Sequence, residues 1–254
     1  MLAPTTQATD RLPLGQLPRT FLSSRRLLAL PLLAVALAAA SPDASGQPAA
    51  LPAFGPGVVG IASSGFVIAG GVPLTSGAWG TDYITVSHTL RVGAQFAVLR
   101  DGFPYAETRP VAACSSQAHG IDVLILRAST HANGPVIEWG DPAALRPGDE
   151  FYGFPRREIH PVPVKYTFVH MNYLEWSKLD RDRVSHQWHN TMVARGGSRP
   201  GFSGSPWVAD GRVFGLHKGS TRPPGQMEHQ LGESAVRIQQ CLKDLGYEHL
   251  VPQN

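Results

Sequence analysis

Short apolar runs, each cut off by Gly, Pro, Asp or Ser, follow one another through most of this chain and leave little room for long helices. "SGFVIAGG", "DYITVS", "AQFAVLRD", "YAETRPVAA" and "DVLILRA" come first. After a turn-rich stretch, "HANGPVIEWGDPAALRPGD", come "EFYGF", "VPVKYTFVHMNYLEW", "SPWVA" and "RVFGLHKG". β-Branched and aromatic residues held between turn formers read as strands. With 27 Gly and 22 Pro to supply the breaks, the chain is predicted to be all-β, with one antiparallel lobe over about 57–135 and a second over about 136–230. No internal repeat relates the two. Near the end, "GESAVRIQQCLKDLGY" sets Val236, Ile238, Cys241, Leu242 and Leu245 on one helical face with Gly246 as a stop, which predicts a terminal helix over about 233–246.

The first forty residues are of another kind. Arg11, Arg19, Arg25 and Arg26 precede the apolar run "LLALPLLAVALAAA", which ends in small residues before Ser41. That is the pattern of a signal peptide; the run is short of the ~20 residues a spanning helix needs, and Pro31 interrupts it. Residues 1–40 are therefore predicted to be a cleaved leader, 41–56 a flexible Pro/Ala/Gly-rich segment, and 57–252 the folded domain. The product is expected to be exported, secreted or periplasmic, with no membrane anchor after leader cleavage. The pair Arg25–Arg26 suits the twin-arginine route, and the apolar run suits the general secretory route equally.

Leader removal also settles the charge. Taking four Arg and one Asp from 22 Lys+Arg and 19 Asp+Glu leaves eighteen of each. A near-neutral body without a basic stripe excludes nucleic acid as a partner. In an exported chain Cys114 and Cys241 can form one disulfide; as two small buried hydrophobes they would read equally well. His160, His170, His186 and His189 crowd one stretch, and "HQWH" has i,i+3 spacing, but neither HExxH nor a Cys pair accompanies them. They read as surface or hydrogen-bonded histidines, and no metal or other cofactor is expected.

"RPGFSGSPW" places Ser203 between Gly201 and Gly204, which by itself marks only a turn. A nucleophilic serine needs a base and a group to orient that base. His88 follows an apolar strand in "YITVSHTL", and Asp122 heads another in "GIDVLILRA". The order His, Asp, Ser resembles that of the chymotrypsin-like serine peptidases, and "GFSGSP" resembles their G-x-S-G-x-P nucleophile loop with every fixed position filled. "TVSHTL" and "DVLILR" resemble the family's histidine corner and aspartate strand.

The resemblance covers about 57–250 and implies a chymotrypsin-like double β-barrel acting on protein or peptide substrates. His88, Asp122 and Ser203 would be catalytic, and the backbone N–H groups of Gly201 and Ser203 would form an oxyanion hole. Phe202 stands where the animal enzymes carry the Asp of their zymogen switch, so that switch is absent.

"GFSGSPW" followed by "VFGLHKGS" is similar to the glutamyl endopeptidases, with Gly215, Leu216 and His217 matching their Gly-Ile-His strand. This implies a primary pocket with Ser198 facing His217, and Gly197 where enzymes that cut after basic residues carry Asp. A glutamate side chain would accept hydrogen bonds from Ser198 and His217, with Lys218 adding positive potential. The alternative is a His217 bonded within its strand beside a pocket for small or apolar residues. Two other readings differ in class. An α/β-hydrolase esterase built on G-x-S-x-G is opposed by Ser205 in the last Gly position and by the order of the partners. A catalytically inactive homologue serving as a binding module is opposed by the full set of three residues.

Overall fold

The computed structural model describes residues 58–63, 66–91, 95–100, 103–114, 120–131, 137–155, 163–223 and 225–251. The expected leader, the 41–56 segment and His160 lie outside them. Six strands come first: β1 (Val59–Ser63), β2 (Phe66–Gly77), β3 (Gly80–Thr85), β4 (Phe96–Arg100), β5 (Phe103–Cys114) and β6 (Val123–Ala128). They pair in the order β1-β2-β3-β6-β5-β4, and β1 on β4 closes the barrel.

The second set is β7 (Glu150–Gly153), β8 (Val164–His170), β9 (Met192–Arg195), β10 (Pro206–Ala209), β11 (Arg212–Thr221) and β12 (His229–Ser234). It closes in the same sense through β10 on β7. Both barrels are antiparallel, and closure removes the exposed strand edges that invite aggregation. A short helix α1 (Tyr173–Ser177) lies between β8 and β9, and α2 (Ala235–Asp244) follows β12. The expected double barrel with a C-terminal helix is present.

The run "VLILRA" shows why a strand here need not alternate. Leu124, Leu126 and Ala128 of β6 point into the first barrel with Ile61, Tyr83 and Val98. Val123 and Ile125, one residue out of step, join a core between the barrels with Phe154, Val208 and Leu216 of the second. Side chains of a strand alternate faces, so a strand buried on both reads as one apolar run.

Other boundaries moved for local reasons. "VPVKYTFVHMNYLEW" is not one strand: β8 stops at His170, and the Asn172 side chain accepts from the N–H groups of Leu174 and Glu175 to start α1, as an N-cap does. The second barrel runs to Ser234, past residue 230, because "HQLGES" is fully buried as β12. Ser234 then caps α2 by accepting from Arg237 N. On α2 the buried face is Ala235, Ile238, Cys241 and Leu242; Val236, expected there, is 55% exposed. Cys114 and Cys241 form a disulfide that ties β5 to α2.

Candidate active site

His88 sits in a 3-10 turn, Ser87–Arg91, that follows β3, and Asp122 lies immediately before β6. β3 and β6 are paired neighbours, with Thr85 opposite Leu124, so their adjoining ends bring the two side chains together. Asp122 Oδ1 accepts from Ser87 Oγ at 2.6 Å and from His88 N at 2.8 Å, while Oδ2 lies 2.6 Å from His88 Nδ1. On the other side of the ring, His88 Nε2 is 3.0 Å from Ser203 Oγ. The three residues, 34 and 81 positions apart in sequence, thus form one hydrogen-bonded chain.

Burial alone would raise the Asp122 pKa. The hydrogen bond and charge of His88, the Ser87 hydroxyl and the positive Lys218 outweigh it and hold the carboxyl at about 2, below its usual 3.8. A carboxyl depressed by folding stabilises the fold above its unfolded pKa, and that contribution disappears as pH falls through the folded value. Wild type is therefore expected to lose on the order of 2 kcal/mol between about pH 4 and pH 2 through this group. Urea unfolding at stepped pH should show that increment in wild type and not in Asp122→Asn.

Ser203 stands on a loop docked against the first barrel. Gly70 N donates to Ser203 O at 2.6 Å, and Gly204 N donates to His217 O at 2.7 Å. The Thr85 hydroxyl donates to Gly70 O at 2.6 Å. Phe202 N donates to Arg199 O and Ser205 N to Phe202 O, both at 3.1 Å. The N–H groups of Gly201 and Ser203 meet no backbone acceptor among the described residues, and Gly201 holds φ at +93°. Backbone N–H groups left without a backbone acceptor next to a serine hydroxyl are able to donate to a developing oxyanion.

No protein-family model matches the sequence, and no curated protein matches it. Solved structures do match in shape. The Rv3671c protease of M. tuberculosis in its inactive form gives a TM-score of 0.57 at 18% identity, over 76% of this chain and 91% of its own. The HtrA-type protease AlgW, with a decapeptide, gives 0.57 at 15% identity over 76% of this chain, which spans 65% of AlgW. The MamO protease domain from Magnetospirillum magneticum gives 0.53 at 16%, over 73% of this chain and 95% of its own. The fold is that of the chymotrypsin-like serine proteases. Nothing in these neighbours singles out the glutamyl endopeptidases, so that finer likeness rests on Gly201–Pro206 and Gly215–His217 alone.

Within this double barrel, Ser198 and His217 face each other, with Ser198 Oγ 3.3 Å from His217 Nε2. Tyr166 OH donates to Gly197 O at 3.1 Å and Gln230 Nε2 to Gly196 O at 3.0 Å, which fixes the backbone just before Ser198. Burial, with the nearby His88 charge, pushes the His217 pKa from 6.5 down to about 3, so its ring is neutral. Its Nδ1 is buried without a partner. In the contact with Ser198, either His217 Nε2 or Ser198 Oγ can be the donor.

Lys218, expected to add positive potential beside Ser198 and His217, is turned away from them. A bulge between His217 and Gly219 sends it the other way, where Nζ donates to Gly120 O, Gln187 O and Glu233 Oε2. Beside His88 and Asp122 opens a cleft of about 880 Å³, walled by Arg91, Gly120, Ile121 and the 181–187 segment.

His170 and His189 bond to backbone carbonyls of Asn172 and Val184, and no metal-holding group occurs among the described residues. The sequence reading missed Ser87, Gly70, Thr85 and Glu233. Only Ser87 carried a signal, as the small residue before the histidine; the others act through contacts between distant strands.

Proposed function

We propose that the chain is an exported serine endopeptidase that works through an acyl-enzyme. The observation that carries this reading is the unbroken chain Ser203–His88–Asp122 beside the free N–H groups of Gly201 and Ser203. Ser203 Oγ attacks the scissile carbonyl as its proton passes to His88 Nε2, and the carbonyl oxygen, now anionic, takes the two N–H groups. Collapse breaks the C–N bond as His88 returns the proton to the leaving amine. Water then repeats the sequence on the ester. Asp122 holds the ring with its proton on Nδ1 and steadies the imidazolium. Export is supported by the Arg-preceded apolar run and by the Cys114–Cys241 bridge, a bond that persists in oxidising compartments.

Acidic side chains before the cut are the finer part of the reading. The support is the facing pair Ser198 Oγ and His217 Nε2, 3.3 Å apart and each able to donate a hydrogen bond, which suits a carboxylate acceptor. In the cleft beside His88, Arg91, Arg181 and Arg183 line the wall against Asp182 and Asp122, and Asp122 is already paired with His88, which leaves a net positive lining that favours acidic peptides over basic ones.

A fluorophosphonate should label wild type once per chain and leave Ser203→Ala unlabelled; a wild type that resists labelling overturns the hydrolase reading. In a peptide library, Glu should be enriched before the cut and His217→Ala should reduce that enrichment. A wild-type preference for Arg, Phe or Ala overturns the acidic pocket.

A further inference from the structure

The geometry points to Lys218 and Glu233 as a positioning pair that holds the Asp122 segment of the first barrel in register with the nucleophile loop of the second; as a statement about catalysis it rests on the hydrolase reading above. The Lys218 and Glu233 side chains are 1% and 0% exposed, with Nζ 2.9 Å from Oε2. An ammonium has three N–H donors, and all three are used here: Glu233 Oε2, Gly120 O at 2.5 Å and Gln187 O at 2.7 Å. Glu233 Oε2 also accepts from Asp122 N at 3.2 Å. Arg237 Nε lies 3.0 Å from its other oxygen as an ion contact without hydrogen-bond alignment.

Both peptide units flanking Ile121 are thereby fixed from the second barrel, through the carbonyl of Gly120 and the N–H of Asp122. The residue beside Lys218 completes the arrangement. His217 O accepts from Gly204 N at 2.7 Å, and His217 N donates to Ser205 O at 2.8 Å. Two consecutive residues of β11 therefore hold the two halves of the reacting site, His217 the Ser203 loop and Lys218 the Asp122 segment. As an ion pair alone it adds little, because apolar residues of similar volume often replace a buried ion pair at no loss or at a gain; its distinctive part is the hold on the backbone of Gly120, Gln187 and Asp122. Gln187, the third acceptor, lines the same cleft as Gly120, so the same ammonium also ties the 186–187 turn to the Asp122 segment.

The test compares Lys218→Met, Glu233→Leu and the double variant with wild type. Three quantities are measured: kcat and KM on a peptide substrate, the melting temperature, and the low-field proton resonance of the short His88 Nδ1–Asp122 hydrogen bond. Each single variant leaves a buried charge without its partner and is expected to melt below the double. The double variant removes both buried charges together and should stay folded, with some loss of melting temperature from the backbone groups left unpaired, and show kcat reduced at least about tenfold with KM within about twofold, and a weakened or shifted resonance. A misplacement of about 1 Å at a reacting group is enough for a loss of that size. A stable double variant with wild-type kcat and wild-type resonance overturns the proposal. If wild type itself hydrolyses nothing, the hydrolase reading falls, and the resonance decides the positioning role by itself.

Discussion

Ser203→Ala is expected to lower kcat on a peptide substrate by roughly 10⁴- to 10⁶-fold with KM little changed, because it removes the one atom that forms the covalent bond. His88→Ala should cost about as much. Asp122→Asn should cost about 10⁴-fold, for a reason visible in the bonds to that carboxylate. An asparagine can still present its carbonyl oxygen to Ser87 Oγ and His88 N, which donate to Oδ1 at 2.6 and 2.8 Å. Its NH₂ then replaces Oδ2, 2.6 Å from His88 Nδ1. A donor there forces Nδ1 to accept, moves the ring proton to Nε2, and leaves nothing on the ring to take the Ser203 proton across 3.0 Å. Geometry survives while the tautomer is wrong. Since the three residues act as one unit, the Ser203→Ala/His88→Ala double variant should be little slower than Ser203→Ala alone. Steady-state rates, with circular dichroism to establish folding, check these values; full activity in His88→Ala would move the base to another histidine and end the assignment.

How far the sequence led can be traced residue by residue. "DVLILRA" and "EFYGF" were legible as strands because their apolar content is local, and "GFSGSP" was legible because its glycines and serine are fixed by chemistry at one place in the chain. β12 was not legible. "HQLGES" has a single large apolar residue, and its burial comes from β9 and β11 on either side, which only closure of the second barrel supplies. Val236 matched a helical face by spacing but lost its place to Ala235 once Ser234 fixed where α2 begins. His217 could be set opposite Ser198 from the motif alone. The direction of Lys218 could not, because a bulge shifts the register by one residue and reverses every side chain beyond it.

Gly204→Ala is expected to disable the protein in stability and catalysis together. A Cβ at residue 204 would lie 2.3 Å from Gly70 O and 2.3 Å from Thr85 Oγ1, with φ held at +75°. The left-handed conformation alone costs an alanine about 1–2 kcal/mol. The clash adds to it, and neither neighbour can yield cheaply, since Thr85 Oγ1 is already committed to Gly70 O at 2.6 Å. Relief requires parting the Gly70 N–Ser203 O contact of 2.6 Å, which carries Ser203 Oγ away from His88. Loss of roughly 3 kcal/mol or more in stability and about 10²-fold or more in kcat/KM should therefore appear together. Gly211→Ala separates the two causes. Its φ is +76°, and a Cβ there meets nothing within 4 Å, so it carries the conformational cost without the clash. Urea unfolding should show it destabilised by only about 1 kcal/mol, with kcat/KM at the wild-type value. Were Gly204→Ala to match Gly211→Ala in both measurements, the contact between Gly70 and the Ser203 loop would not be what sets the nucleophile against its base.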